Sequence, residues 1–435
     1  MWHGTRRAPA IPAWAAFLVG VAVACPAVIP GVGDGNGPRT TDLLGLFSAG
    51  WLALAMLRLP ELHRAIVGVL LVWAMTLPWI FIEIWSLGGT SDAPVQRLLL
   101  RWVLAGFSAY LIAVVADTPA LRPRLLYGLM AGVLLSSLTL VHDDLTFSPE
   151  DVPIDQLVTL AIYNGKDIYD FVYRASGIFG HPNGAAGCVL LGVPLLIGAI
   201  QEGRAPRWSI AIALMLMAGT FYLTKSRGPL LVSAVLVGSW LWIEARGARL
   251  PLLLAGVAGV LGMVAVGGVA AGGGVLLNRF LDLNAISVNA GDRWWTIATS
   301  LDFMVRNPLG MASGYVAPLE TATGTSATHS AYLELGLMGG IPLLAFVAVR
   351  LGRTAARLLG PWRPVEAWLA CYLLGIFLFE SYFLQVGIQL LTLWLVVSPL
   401  QRGREPSLPA APAAARPPRK FAVPHAGSSA AMRKA

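Results

Sequence analysis

The feature that most limits what this chain can fold into is a repeating one. Apolar runs of roughly 17–25 residues, the length that crosses a bilayer, recur from one end to the other. They lie near 11–30, 42–59, 65–85, 97–117, 124–141, 184–200, 207–223, 229–244, 250–274, 331–349, 366–382 and 384–400. The expected architecture is an all-α polytopic membrane protein of about 12 transmembrane helices, with the 366–382/384–400 boundary the softest.

Composition supports that reading. The chain is 56% hydrophobic and 12% charged, where soluble proteins carry about 25% charged residues. A soluble domain of this size could not hide so much apolar surface. The formal charge of +8 would suit nucleic acid, but the cations sit mainly in short loops between apolar runs. They are a topology signal, and no nucleic-acid partner is expected. Cys25, Cys188 and Cys371 each lie inside an apolar run. They form no disulfide or metal framework.

Lysine and arginine set the orientation. With Arg6 and Arg7 in the cytoplasm, the inside loops carry Arg58 and Arg64, Arg122 and Arg124, Arg204 and Arg207, Arg246 and Arg249, then Arg353, Arg357 and Arg363. The basic tail from 401 to 435 returns to the same side, so parity and charge agree. That tail is rich in Pro, Ala and Arg, lacks an apolar period, and reads as disordered. The first run reads as an uncleaved helix rather than a removed signal. The membrane-embedded domain is thus 1–400, followed by the tail.

Two outside loops are longer than connectors: 142–183, acidic at its start ("HDDLTFSPEDVPID"), and 275–328. Loops of this length are commonly functional or disordered. Within the second, "RWWTIATSLDFMV" places Trp294, Ile297, Leu301 and Met304 on one helical face, and Asn307-Pro308 ends the helix. An amphipathic helix on or across the outer face is expected there.

Outside cations break the charge rule and so mark candidates. Arg174 stands in "YRASGIFGHPN", Lys225 and Arg227 in "TKSRGP", and Arg293 at the start of the amphipathic stretch. His181, followed by Pro182 and Asn183, and His329 in "THSAYLELGLMGG" each mark an entry into a span. Guanidiniums beside a lipid phase suit a lipid-linked phosphate or pyrophosphate, because arginine binds phosphate oxygens bidentately. Bland alternatives remain: Arg174 pairing with Asp167 or Asp170, Arg293 with Asp292, Lys225 and Arg227 snorkelling, His181 as a cap, and Arg279 and Arg306 as surface charges. Glu83, Arg101, Glu334 and Glu380 rate lower because each sits near a span end. The "HDD" at 142–144 is a weak metal candidate, and no D-x-D triplet occurs.

These stretches resemble the bacterial O-antigen ligase and polymerase superfamily. "TKSRGPLLV" resembles its serine-arginine turn. "DRWWTIATSLDFMVRNPLGMASGY" resembles its long periplasmic loop, and "THSAYLELGLMGG" its histidine and glycine-spotted helix. Ser330 stands where many members have asparagine, and Pro342-Leu343 where ligases often show small or polar residues. The resemblance implies a GT-C-like glycosyltransferase of the bacterial inner membrane, working on the periplasmic face. Its donor would be a glycan on undecaprenyl pyrophosphate and its acceptor, for a ligase, a sugar hydroxyl of lipid A-core. The transfer would be inverting, with no metal and no cofactor. His329 would be the base. Arg227, Arg293 and Arg174, with Lys225, would hold the pyrophosphate; His181, Asn183, Ser330 and Tyr332 would support them. The rivals are an O-antigen polymerase and, from another class, a transporter or flippase. The absence of an internal repeat and of midplane charges argues against the latter.

Overall fold

The computed structural model describes residues 11–26, 39–56, 93–147, 173–244, 283–324, 328–359, 364–380 and 386–401. Every regular element among them is helical: α1 (Ala13–Ala24), α2 (Thr40–Met56), α3 (Ala93–Asp117), α4 (Arg122–Thr146), α5 (Pro182–Val189), α6 (Gly192–Gln201), α7 (Ile210–Thr224), α8 (Arg227–Glu244), α9 (Leu283–Arg306), α10 (Val316–Thr323), α11 (Ala331–Ala355), α12 (Pro364–Ile376) and α13 (Val386–Gln401). Four stretches are long and apolar enough to cross a membrane: Arg122–Thr146, Pro182–Gln201, Arg207–Thr224 and Ala331–Leu358. The expected runs at 65–85 and 250–274, most of the first long loop and nearly all of the basic tail lie outside the described residues. Each of the other expected runs falls on a helix.

Small residues let the helices approach closely. A Cβ on Gly132 of α4 would stand 2.8 Å from both Val21 O and Ala24 Cβ of α1, so this pair packs backbone to backbone. Helix α12 lies in the interior, with Trp368, Leu369, Tyr372, Leu373 and Ile376 all buried. It packs against α6, α8 and α11. Its polar groups are matched: Trp368 Nε1 donates to Gln201 Oε1 at 2.8 Å and the Tyr372 hydroxyl to Gly187 O at 2.9 Å.

The expected run 366–382 does not stay helical. It stops at Ile376 and turns through Phe377–Glu380. Neighbours take over its backbone acceptors: Phe377 O receives Ala331 N–H at 2.9 Å and Ser330 Oγ at 3.0 Å, and Phe379 O receives Arg293 Nη1 at 3.2 Å.

α11 is two half-helices joined at Gly340, which has φ 67°. A continuous helix would bond Ile341 N–H to Leu337 O. Instead Ile341 N–H donates to Pro308 O at 2.9 Å, and Leu337 O accepts from Met311 N–H at 2.7 Å. The "NPLGM" segment after α9 therefore satisfies both groups freed by the break, the condition for non-helical backbone inside a membrane protein.

The charged residues divide by helix end. At one end Arg122 binds both Glu202 and Glu366, Arg204 binds Glu202, and Arg207 pairs with Glu244. His181, Lys225 and Arg227 lie at the other end of the α5–α6 stretch, α7 and α8, and Arg174, Arg293 and His329 are joined to that end by the contacts described below.

Candidate functional site

Three helices begin at this second end, each after a residue in the left-handed region. Gly180 (φ 69°) and His181 precede α5, Lys225 (φ 51°) precedes α8, and His329 (φ 54°) precedes α11. The last two turns share one design. Thr224 Oγ1 accepts Ser226 N–H at 3.3 Å, and Thr328 Oγ1 accepts Ser330 N–H at 3.4 Å. The sequences Thr-Lys-Ser and Thr-His-Ser thus fold alike, each threonine holding its middle residue in a conformation that costs a non-glycine about 1–3 kcal/mol. Such strain gathers at functional sites, and here it carries a cation and an imidazole.

Asn183, on the first turn of α5, ties the entries together. Its Oδ1 accepts from Arg174 Nη2 at 2.7 Å and Ser226 Oγ at 3.0 Å, and its Nδ2 donates to Glu380 Oε2 at 2.6 Å. Arg174 is also anchored through Nε to Thr224 O at 2.9 Å. Glu380 presents Oε1 to His329 Nδ1 at 3.3 Å, and Arg293 Nη2 stands 3.7 Å from Oε2. So Arg174, Asn183, Ser226, Arg293, His329 and Glu380 form one connected group drawn from separate parts of the chain.

Glu380 is the acceptor that faces the imidazole. Burial alone would raise its carboxyl, but the His329 contact and the charges of His329, Arg293 and His181 outweigh this and leave it below its ordinary value. It is therefore a carboxylate at neutral pH and can only accept hydrogen bonds. Facing an acceptor, Nδ1 is the donor atom of the contact, so in the neutral ring Nε2 is the nitrogen with the lone pair.

His181 sits at the N-cap position of α5, but its side chain makes no capping bond. The ring reaches solvent, yet the protein atoms around it lower its affinity for a proton. The Glu380 charge counters that effect, and Arg174 and His329 add to it.

The remaining candidates are placed differently. Arg227 opens α8 half-buried, and the next residue, Gly228, packs against Phe379, with Cβ to Cβ at 2.7 Å if a side chain were added. Lys225 turns back: Nζ bonds Leu223 O at 3.5 Å and lies 5.5 Å from the Tyr222 ring centroid. The Tyr332 hydroxyl is committed to Leu374 O at 2.7 Å, and its ring meets Phe377 edge-on. Ser330 and Tyr332 thus hold the 377–380 turn. Asp143 of "HDD" accepts from Ser176 N–H, Gly177 N–H and the Tyr173 hydroxyl at 2.7–2.8 Å, which shapes the approach to Arg174. Arg306 pairs with Asp302 at the surface, whereas Arg279, Asp167 and Asp170 lie outside the described residues. No cluster of three metal-ligating side chains occurs among the described residues.

Glu380 is the residue that sequence reasoning undervalued. Its signal was a single acid inside "GIFLFESYFLQ", since an ionisable group in an apolar run is a functional candidate by default.

The family model for O-antigen ligase matches residues 212–348. Over this segment the chain is similar to the O-antigen ligase family. The matched segment includes Lys225, Arg227, Arg293 and His329. Arg174, Asn183 and Glu380 lie outside it, on the loop before α5, the first turn of α5 and the turn after α12. A comparison with curated proteins found no match.

Proposed function

We propose that the protein is an O-antigen ligase that transfers a glycan from undecaprenyl pyrophosphate to a sugar hydroxyl of lipid A-core on the periplasmic side of the inner membrane. The observation that carries this reading is the His329–Glu380 pair set among arginines. The acceptor O–H gives its proton to His329 Nε2 while its oxygen attacks the anomeric carbon from the face opposite the leaving group. The anomeric C–O bond breaks, its electron pair leaves on the pyrophosphate oxygen, and the configuration inverts. Glu380 accepts from Nδ1–H and stabilises the imidazolium that forms, the usual task of a carboxylate behind a general base. Arg293 and Arg174, with Arg227 at the α8 N-terminus, meet the charge growing on the leaving group. These residues supply the charge compensation that a divalent ion gives in other glycosyl transfers.

The test is reconstitution of purified protein with a lipid-linked glycan and lipid A-core, in EDTA, with products read by gel mobility and mass. Glycan on lipid A-core is the expected result. Longer glycan still on the carrier would make the protein a polymerase, and loss of transfer in EDTA, restored by a divalent ion, would overturn the metal-free mechanism.

A further inference from the structure

Helix α9 is built the wrong way round for water. Its inward positions are polar: Thr296 is 2% exposed and Ser300 is 0% exposed. Its outward positions are apolar: Trp294 is 70% exposed and Val305 72%, with Leu301 exposed on the same stripe. Trp294, Leu301 and Val305 follow i, i+7, i+11 spacing, one face of a helix. A water-facing helix buries such a stripe and exposes its Ser and Thr. Sequence reasoning placed Trp294, Ile297, Leu301 and Met304 together; the structure divides them. Trp294 and Leu301 face out, while Met304 packs beneath Gly336 of α11.

The stripe does not end with the helix. Exposed Leu309 follows, and its backbone packs on Gly340. Beside it Ile341 is exposed on α11, within a stretch apolar and long enough to cross a membrane. Leu309 and Ile341 thus bring the outward surface of that stretch up to the end of the α9 stripe, with the exposed Asp302–Arg306 pair at its edge. Along the flank, Trp295 donates Nε1–H to Ala322 O, and Arg306 pairs with Asp302. Indole and arginine beside an aliphatic stripe is the pattern of a helix lying at the bilayer interface. The opposite side of the helix carries Arg293, whose guanidinium reaches Phe379 O.

We infer that α9 is an interfacial helix whose Trp294–Leu301–Val305 face is immersed in the lipid leaflet bordering the site, with Arg293 turned to the site. The occupant of the face is lipid, and one helix separates the acyl phase from the His329–Glu380 pair.

The test needs no substrate, so its failure is separate from any failure of the ligase reading. Cys25, Cys188 and Cys371 are replaced by Ala, and a nitroxide is attached at Leu301→Cys or Val305→Cys of the full chain in phosphatidylethanolamine/phosphatidylglycerol vesicles. Collisions with oxygen and with a water-soluble nickel chelate are compared. Leu138→Cys on the exposed side of α4 and Glu320→Cys on α10 are the lipid and water references. At 301 and 305 oxygen should exceed the nickel chelate, as at 138. A ratio like that at 320 would put the face in water and overturn the inference; exclusion of both probes would put protein over it and also overturn it. If the cysteine-free chain does not fold, the natural chain in brominated-lipid vesicles replaces it. Trp294→Phe should then remove part of the lipid-quenched fluorescence, and an unchanged quenched fraction would contradict the inference.

Discussion

Glu380 Oε1 and His329 Nδ1 lie 3.3 Å apart although 51 residues separate them. The pair joins the turn after α12 to the turn before α11. In the ligase reading, Glu380→Gln keeps the shape and removes the charge that fixes the His329 tautomer. Turnover should then fall by a large part of the ~10²–10⁴-fold that general acid–base catalysis supplies, with donor affinity less affected. Steady-state rates at saturating and limiting donor separate the two effects.

Arg293 spans the Phe379 carbonyl and the Glu380 carboxylate while remaining partly exposed. Arg293→Ala should lower turnover by about 10²–10³-fold, the cost of removing one preorganised charge donor. Arg293→Lys should recover only part, because an ammonium lacks the planar fork. Initial rates of the three proteins at one donor concentration test the order.

The pH dependence has a definite sign. Glu380 titrates below its ordinary value of 4.5, so its stabilisation is complete above 4.5 and is lost as pH falls through its lower folded value. His181 titrates below its ordinary 6.5; the unfolded chain protonates first, so stability also falls on acidification from that pH. Thermal unfolding in detergent should show a midpoint that drops in acid. His181→Gln should flatten the curve just below 6.5, and Glu380→Gln should flatten it below 4.5.

Gly340 has φ 67° and no room for a side chain beside Pro308 and Leu309. Gly340→Ala should cost about 1–3 kcal/mol from backbone strain alone, and more if the bonds to Pro308 and Met311 are lost. Gly352→Ala, with open space and ordinary φ in the same helix, should be neutral or mildly stabilising. Unfolding midpoints of the two variants give the comparison.

Far from the site, Arg122 bonds Glu202 and Glu366 with little solvent contact. Arg122→Ala takes the shared cation from Glu366 and Glu202, leaving Glu202 only its Arg204 partner, and should cost about 3–5 kcal/mol. Donor affinity of the surviving folded protein should not change.

The apolar helices are legible in the sequence because apolar length is a local property, and Arg174 and Arg293 stand out because they depart from the charge pattern of the short loops. The matched turns around Lys225 and His329 were visible as Thr-x-Ser, but only the backbone shows that both middle residues are left-handed. Glu380 is obscured because it ends the uncharged run Ala367–Phe379 and nothing local ties it to His329 or Asn183. The break at Gly340 needed Pro308 and Met311, partners some thirty residues away. Helix α9 is legible as amphipathic, but its four apolar positions do not share one face in the fold: Trp294 and Leu301 are exposed while Met304 packs against Gly336.

The most direct measurement is the ligation rate of His329→Ala against the natural protein, with equal folding and equal donor binding established first. The account predicts a loss of about 10²–10⁴-fold in turnover while the lipid-linked donor still binds. Turnover within a few-fold of the natural protein would contradict a catalytic His329 and leave the arginine group as the only part of the proposed site still standing.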